Sequence, residues 1–359
     1  MKMKEVLNYN IHNILKISLE KEKNFDLMRG LDLEMSFFRV NEEIKDPDII
    51  IKLGEFQPSN EDCYVVDHKY HIKENYIYCK DSADNLNWEI EIFGFENGKS
   101  IVNYNYNSFG VNNLISKFNF ETVFLRPLIY CKLKEKKYFM VHGGSITFKD
   151  DAFLLSGCGG SYKTSIIMDL LKKSDFKYMG DDWAILHKEE DSIKVFSFPA
   201  HFKLFNYVFN NKKDENLTFV DKVKFIKSLW KKENSENVQV NDSGELKGII
   251  FLNKSNSGDF CFGTLDLDDA INRLINNTKL EMNSDSVPMS GFSLNPLYRY
   301  ITAYSYVFPD SNMAKLWKTL EDDLKEILNN FNFYELEIPD NYSSHVSDSI
   351  VDFIGGGCI

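Results

Sequence analysis

Short apolar runs separated by polar turns dominate the first third of the chain. Asp48-Ile49-Ile50-Ile51-Lys52-Leu53, Tyr76-Ile77-Tyr78-Cys79 and Trp88-Glu89-Ile90-Glu91-Ile92-Phe93 are rich in β-branched and aromatic residues, and they predict strands. Asn97-Gly98, placed before Ser100-Ile101-Val102-Asn103-Tyr104, predicts a hairpin. Residues 1 to about 110 therefore read as strand-rich. From Phe118 to Leu133 the apolar positions Phe120, Val123 and Phe124 fit a helix, which Pro127 is expected to kink or divide.

The centre of the chain changes rhythm. Tyr138-Phe139-Met140-Val141 runs into His142-Gly143-Gly144. Ser145-Ile146-Thr147-Phe148 then turns through Lys149-Asp150-Asp151 into the apolar run Ala152-Phe153-Leu154-Leu155. A hairpin at this point departs from strictly alternating strands and helices, and predicts a mixed sheet. After Phe198-Pro199-Ala200-His201-Phe202-Lys203-Leu204, residues 210–245 become highly charged and read as an insertion or lid. Within it, residues 220–232 have helical periodicity with a lysine-rich face, read as a solvated face or as a cationic lid. Leu246–Leu252 predicts a strand, Asp266–Leu280 and Ser311–Phe331 predict helices, and Phe333–Ile338 predicts a closing strand. There are no internal repeats or low-complexity tracts.

Composition narrows the class. With 359 residues, 43% hydrophobic and 27% charged, the chain has material for a sizeable core. A net charge of −12 argues against a nucleic-acid partner, which would need a basic surface. Arginine is confined to Arg29, Arg39, Arg126, Arg273 and Arg299, so lysine must do most of any phosphate work, as a point charge. Cys63, Cys79, Cys131, Cys158, Cys261 and Cys358 lack C-x-x-C spacing, which predicts neither a zinc site nor a disulfide framework. No segment reaches membrane-spanning length and the first residues lack a signal core, so the expected location is the reducing cytoplasm, with no membrane partner. Gly355-Gly356-Gly357-Cys358-Ile359 reads as a flexible end.

Candidate chemistry concentrates between the run ending at Leu155 and the amphipathic run Ile166-Ile167-Met168-Asp169-Leu170-Leu171. Joining them is Gly157-Cys158-Gly159-Gly160-Ser161-Tyr162-Lys163-Thr164. A strand, a glycine-rich loop and a helix opening on lysine and a hydroxyl provide what a phosphate needs. Backbone N–H groups point inward, the helix N-terminus is partially positive, and an ammonium is fixed nearby. Asp181 and Asp182, at the mouth of the strand Trp183-Ala184-Ile185-Leu186, add a magnesium ligand and a base. Together these point to ATP, magnesium and phosphoryl transfer. The plainer reading is an ordinary strand-to-helix connection with a solvated lysine. Tyr162 occupies the position where the usual pattern has glycine. A Cβ there costs stability or forces a different bend, with Gly159 and Gly160 close enough to take the turn. Cys158 reads as a small neutral loop residue.

The set of His142-Gly143 before a hairpin, a loop ending Lys163-Thr164, and Gly180-Asp181-Asp182 resembles the kinase domain of the HPr serine kinase/phosphorylase family. It is closer to the HPr-kinase-like peptide kinases of peptide-modifying clusters, such as lasso-peptide kinases. The resemblance runs from about His142 to Leu280 and more faintly to Ile338. It implies an α/β (α+β) fold, a mixed sheet with an HPr kinase/PEP carboxykinase-like core. It also implies that the Gly157–Thr164 backbone wraps the phosphates and that Lys163 holds the β- and γ-phosphates. Thr164 and Asp181 would hold magnesium, Asp182 would accept the proton of a serine or threonine hydroxyl, and His142 would sit beside the transferred group. Lys203 stands where relatives often place arginine. The chain has no counterpart of the acidic, arginine- and glycine-bearing motif of true HPr kinases, which leaves a second metal ligand and reverse activity unassigned.

The expected organisation is a strand-rich region at 1–115 that presents substrate, and an ATP-binding domain at 116–359 with the insertion at 210–245. The expected activity is phosphorylation of a peptide or small protein. A catalytically silent nucleotide-binding partner protein is the alternative. A small-molecule kinase or carboxykinase-like enzyme is a third reading. True HPr kinases are hexamers, so a homo-oligomer is an expectation of the resemblance alone.

Overall fold

A computed structural model describes residues 4–22, 31, 35–83, 86–108, 124–199, 239–256, 260–283, 296–340 and 342–355. His201, Lys203, residues 220–232 and the last four residues lie outside these. The chain is of mixed α/β type and divides into two compact units, Met1–Lys137 with Met282–Leu320, and Tyr138–Glu281 with Glu321–Ile359. Among the described residues no helix is long and apolar enough to cross a membrane.

The first unit is strand-rich, as its alternating runs predict. Its strands are β1 (Lys4–Ile11), β2 (Leu15–Glu22), β3 (Arg39–Val40), β4 (Ile49–Leu53), β5 (Tyr64–Val66), β6 (Tyr70–Lys73), β7 (Tyr76–Ala83), β8 (Leu86–Phe93) and β9 (Ser100–Ser108). They form one sheet in the order β3-β1-β2-β4-β9-β8-β7-β6-β5. β4 runs parallel to both β2 and β9, and the remaining pairs are antiparallel. Alternation is visible in β2, where Leu15, Ile17 and Leu19 are buried and the residues between them are not. Burying each such side chain is worth about 1.5–3 kcal/mol.

The hairpin predicted around Asn97-Gly98 is present: β8 and β9 pair antiparallel, through a connection longer than a two-residue turn, from Phe93 to Ser100. The longer connection is held by Asn75, whose Oδ1 accepts the N–H groups of Glu96 and Asn97 at 2.8 and 3.0 Å. Pro127 lies in the first turn of the Arg126–Glu135 helix, and residues 118–123 of the expected helix lie outside the described residues.

The second unit is built on β10 (Phe139–His142), β11 (Gly144–Phe148), β12 (Asp151–Ser156), β13 (Phe176–Gly180), β14 (Trp183–Lys188), β15 (Ile193–Phe198), β16 (Ser243–Ser255), β17 (Cys261–Leu265) and β18 (Phe333–Pro339). The main order is β10-β14-β15-β16-β12-β11-β13, with β18 beside β16 and β17 beside β18. The β11–β12 hairpin is antiparallel, whereas β12–β16 and β16–β18 are parallel. The expected mixed sheet is present. β10, β11 and β12 are buried almost throughout, so they read as continuous apolar runs.

Each face has its own cover. Phe153, Leu155, Ile250, Leu252, Leu336 and Ile338 share a core with Ile166, Ile167 and Leu170 of the Lys163–Leu171 helix, and with Val346, Ile350 and Ile354 of the His345–Gly355 helix. Ser156 and Glu335 face the Leu267–Asn283 helix through Asn277 and Arg273. That helix begins and ends close to the range its periodicity predicts. The Leu316–Ile327 helix is shorter than the expected Ser311–Phe331, because Ser311 to Lys315 form turns.

Gly144 sets how closely the Lys163–Leu171 helix approaches the sheet. A Cβ there would meet Ile167 Cδ1 at 2.3 Å and the Asp181 carbonyl oxygen at 3.2 Å. Gly144→Ala is expected to destabilise the chain by about 1–3 kcal/mol through overpacking, read as a lowered urea midpoint at unchanged slope.

Candidate functional site

The carboxyl end of β12 opens directly into the Gly157–Tyr162 loop. Gly157 lies against the neighbouring parallel strand, where a Cβ would stand 2.9 Å from the Leu252 carbonyl oxygen and 2.5 Å from Ser161 Oγ. No larger residue fits there. Ser161 N–H closes the loop on the Cys158 carbonyl at 3.2 Å, and Ile166 N–H makes a helical bond to the Tyr162 carbonyl at 2.9 Å. The first N–H groups of the helix that follows have no intrahelical acceptor, and the helix dipole adds partial positive charge at this end.

Both Gly160 and Tyr162 adopt positive φ, at 88° and 63°. Glycine therefore does not absorb the whole turn. Tyr162, the residue just before the helix, sits in the left-handed region with ψ 12°. For a residue with a Cβ this costs roughly 1–2 kcal/mol. The ring is anchored from outside the loop: its hydroxyl donates to the Asp340 carbonyl, and its ring lies 5.3 Å from the Tyr342 ring at 36°. Lys254 Nζ sits 5.4 Å from the Tyr162 ring centre and pairs with Asp340 at 2.5 Å.

Lys163 is buried, and its ammonium points back across the loop mouth. It donates to the Gly157 carbonyl at 2.9 Å and lies 2.6 Å from His142 Nε2. With the ammonium as donor, His142 accepts at Nε2 and carries its ring proton on Nδ1. Glu281 Oε2 lies 3.9 Å from the same His142 nitrogen. The edge of Trp183 meets the imidazole at 5.5 Å and 81°.

The two aspartates occupy the turn between β13 and β14. Asp181 is buried and accepts the Tyr178 hydroxyl at Oδ1, 3.0 Å away. A point at the Gly144 Cβ position would be 3.2 Å from the Asp181 carbonyl oxygen and 3.4 Å from Lys163 Cγ, so Gly144 brings these two residues together. Asp182 is half-buried, and its carbonyl accepts the Gly143 N–H at 2.9 Å. The backbone thus ties the aspartate turn to the residue after His142. Thr164 is buried in the first helical turn, and Cys158, Gly159 and Gly160 are exposed.

The expected residues therefore gather at one end of the sheet. The residues not singled out from sequence are Asn277, Thr278 and Glu281, on one helix. Asn277 Nδ2 donates to the His142 carbonyl at 3.2 Å and to Ser156 Oγ at 3.1 Å; His142 N–H donates to Thr278 Oγ1 at 3.1 Å. Their one sequence-level signal was polarity at positions 277, 278 and 281 of an otherwise amphipathic helix. Arg273 forms a separate group with Glu335 at 2.6 Å, joined by Asn253.

Chemically, the site offers a helix N-terminus, one buried ammonium, an imidazole in contact with it, and two carboxylates in one turn. Ser161 Oγ is buried without a hydrogen-bond partner among the described residues. A buried hydroxyl in that state calls for an acceptor.

Removing the Asn277 amide would leave the His142 carbonyl and the Ser156 hydroxyl short of a donor in a buried place. Asn277→Ala is expected to lower the unfolding free energy by about 1–3 kcal/mol, measured by denaturant titration.

No family model matches the chain, and no curated protein does. Among solved structures it is similar to one described as the Hpr(Ser) kinase/phosphatase from Coxiella burnetii. That likeness has 9% identity and a TM-score of 0.27, and covers 60% of this chain and 94% of that one.

Proposed function

We propose that this chain is an ATP- and magnesium-dependent kinase that transfers the γ-phosphoryl group to a serine or threonine hydroxyl of a peptide or small protein. The observation that carries the reading is the buried Lys163 ammonium on His142 and the Gly157 carbonyl, with the backbone of Asp181 beside it at Gly144. In-line phosphoryl transfer needs little covalent help from a protein. It needs a cradle for the phosphates, neutralised charge, and a carboxylate beside the attacking hydroxyl.

Each requirement has a candidate in this chain. The loop N–H groups and the helix N-terminus would cradle the phosphates, and Lys163 would exchange the Gly157 carbonyl and His142 for phosphate oxygens. Thr164 and Asp181 suit magnesium, which is commonly held by one or two carboxylates together with substrate phosphates. Bound there, the ion would neutralise charge that develops on the transferred group. The Tyr178 hydroxyl orients the Asp181 carboxylate, as an outer partner does for a ligand. Asp182 makes no side-chain hydrogen bond or ion pair among the described residues, so its carboxylate is open to accept a hydroxyl proton. His142 would stand beside the transferred group.

The second reading, a silent nucleotide-binding partner protein, draws on Tyr162. The two separate on Asp182. In titration calorimetry with a non-hydrolysable ATP analogue and magnesium, the wild type is expected to bind and Lys163→Ala to lose that binding. Asp182→Asn is expected to keep the affinity while lowering phosphotransfer by roughly 10²–10³-fold, about 2.7–4 kcal/mol, read by intact mass of the acceptor peptide. Unchanged turnover in Asp182→Asn would remove that residue from the role of base. Tight binding with no turnover in the wild type would favour the partner-protein reading.

A further inference from the structure

The residue before Lys163 is where phosphate-binding loops ordinarily use glycine to reach positive φ. Here Tyr162 reaches φ 63° and ψ 12° with a full side chain. Its conformation is therefore supported by contacts, not by intrinsic preference. Besides Lys254, 5.4 Å from the ring centre, those contacts come from residues near the end of the chain. The Asp340 carbonyl accepts the Tyr162 hydroxyl, and the Tyr342 ring packs on the Tyr162 ring at 5.3 Å.

That segment is itself fastened to the loop's helix. Tyr342 O–H donates to Asp169 Oδ2 at 2.6 Å, and Lys173 pairs with Asp348 at 2.6 Å. Val346, Ile350 and Ile354 share a core with Ile166, Ile167 and Leu170. Loop, helix and segment thus form a closed circuit. Tyr162 touches the segment, the segment touches Asp169, and Asp169 lies on the helix that Tyr162 begins.

We propose that Tyr162 is a positioning residue, and that Asp340 and Tyr342, by holding its side chain, set the left-handed turn that presents the Lys163 helix N-terminus to phosphate. The affinity part of this inference rests on the nucleotide reading above; the coupling of segment to loop does not. A consequence is that nucleotide affinity is governed from a part of the chain remote in sequence from the loop. Order in the segment and order in the loop rise and fall together.

The test is a double-mutant cycle between Tyr162→Gly and Tyr342→Ala. Glycine reaches the same turn unaided, so the segment should stop mattering once it is present. Hydrogen–deuterium exchange over residues 157–164 reads the coupling without any ligand. Tyr342→Ala should speed exchange there in the wild-type background and leave it unchanged in the Tyr162→Gly background. A merely structural role for Tyr342 would speed exchange equally in both, and that result would overturn the proposal. So would no effect in either.

The second readout is binding of a non-hydrolysable ATP analogue with magnesium. Tyr342→Ala should weaken it about tenfold in the wild-type background and by less than about twofold beside Tyr162→Gly. If the wild type binds no nucleotide while the exchange cycle shows coupling, the nucleotide reading fails and the coupling stands. If it binds and the cycle shows equal losses in both backgrounds, the reverse holds. Tyr162→Phe, which removes only the hydroxyl on the Asp340 carbonyl, repeats the comparison with the packing retained.

Discussion

An ammonium held in the interior has to be surrounded by acceptors, and that requirement organises the second unit. Lys163 is buried at the start of its helix, with the Gly157 carbonyl and the His142 ring on it. Desolvating an ammonium costs several kcal/mol unless hydrogen bonds compensate. The acceptors come from two places far apart in sequence, the loop's own first residue and the end of β10. Holding them in register with Lys163 takes much of the surrounding architecture. Ser156, Asn277 and Thr278 fix the His142 backbone, and the close fit at Gly144 sets the helix against the sheet.

The same requirement ties stability to chemistry. On the proposed reading, a phosphate would replace the groups that satisfy Lys163 here. A helix N-terminus faces the same space, and the buried Ser161 hydroxyl adds a donor that has no acceptor among the described residues. Positive and donor character thus accumulates on the loop side. Carboxylates lie in the adjacent β13–β14 turn. On the proposed reading, this separation of sign would serve the transfer of an anionic group.

Tyr162 shows how a local rule is broken and compensated within one fold. Taken alone, a tyrosine before the lysine argues against a working loop, because its Cβ disfavours the turn. In the folded chain the penalty is offset by a hydrogen bond, an aromatic contact and a nearby cation. The hydrogen bond and the aromatic contact each contribute on the order of 0.5–1.5 kcal/mol, comparable with the penalty. The price is dependence on a segment nearly two hundred residues away (Asp340 is separated from Tyr162 by 178 positions).

Much of the fold was legible because its signals are local. Continuous apolar runs at Phe139–Val141 and Ala152–Leu155 mark strands buried on both faces, and the hairpin between them implies a mixed sheet whatever else the chain does. The loop and the aspartate pair were likewise readable as residue types at a spacing. Other features were not local. The Pro296–Val307 and His345–Gly355 helices went unpredicted. Sequence alone determined which groups could handle a phosphate, since that depends on the identity of side chains and on a loop a few residues long. Tertiary structure alone decided that His142 meets Lys163, that Asn277 and Thr278 hold His142, and that Asp340 and Tyr342 hold Tyr162. Those contacts join strands, helices and loops far apart in the sequence, and no local pattern encodes which distant surfaces will pack together.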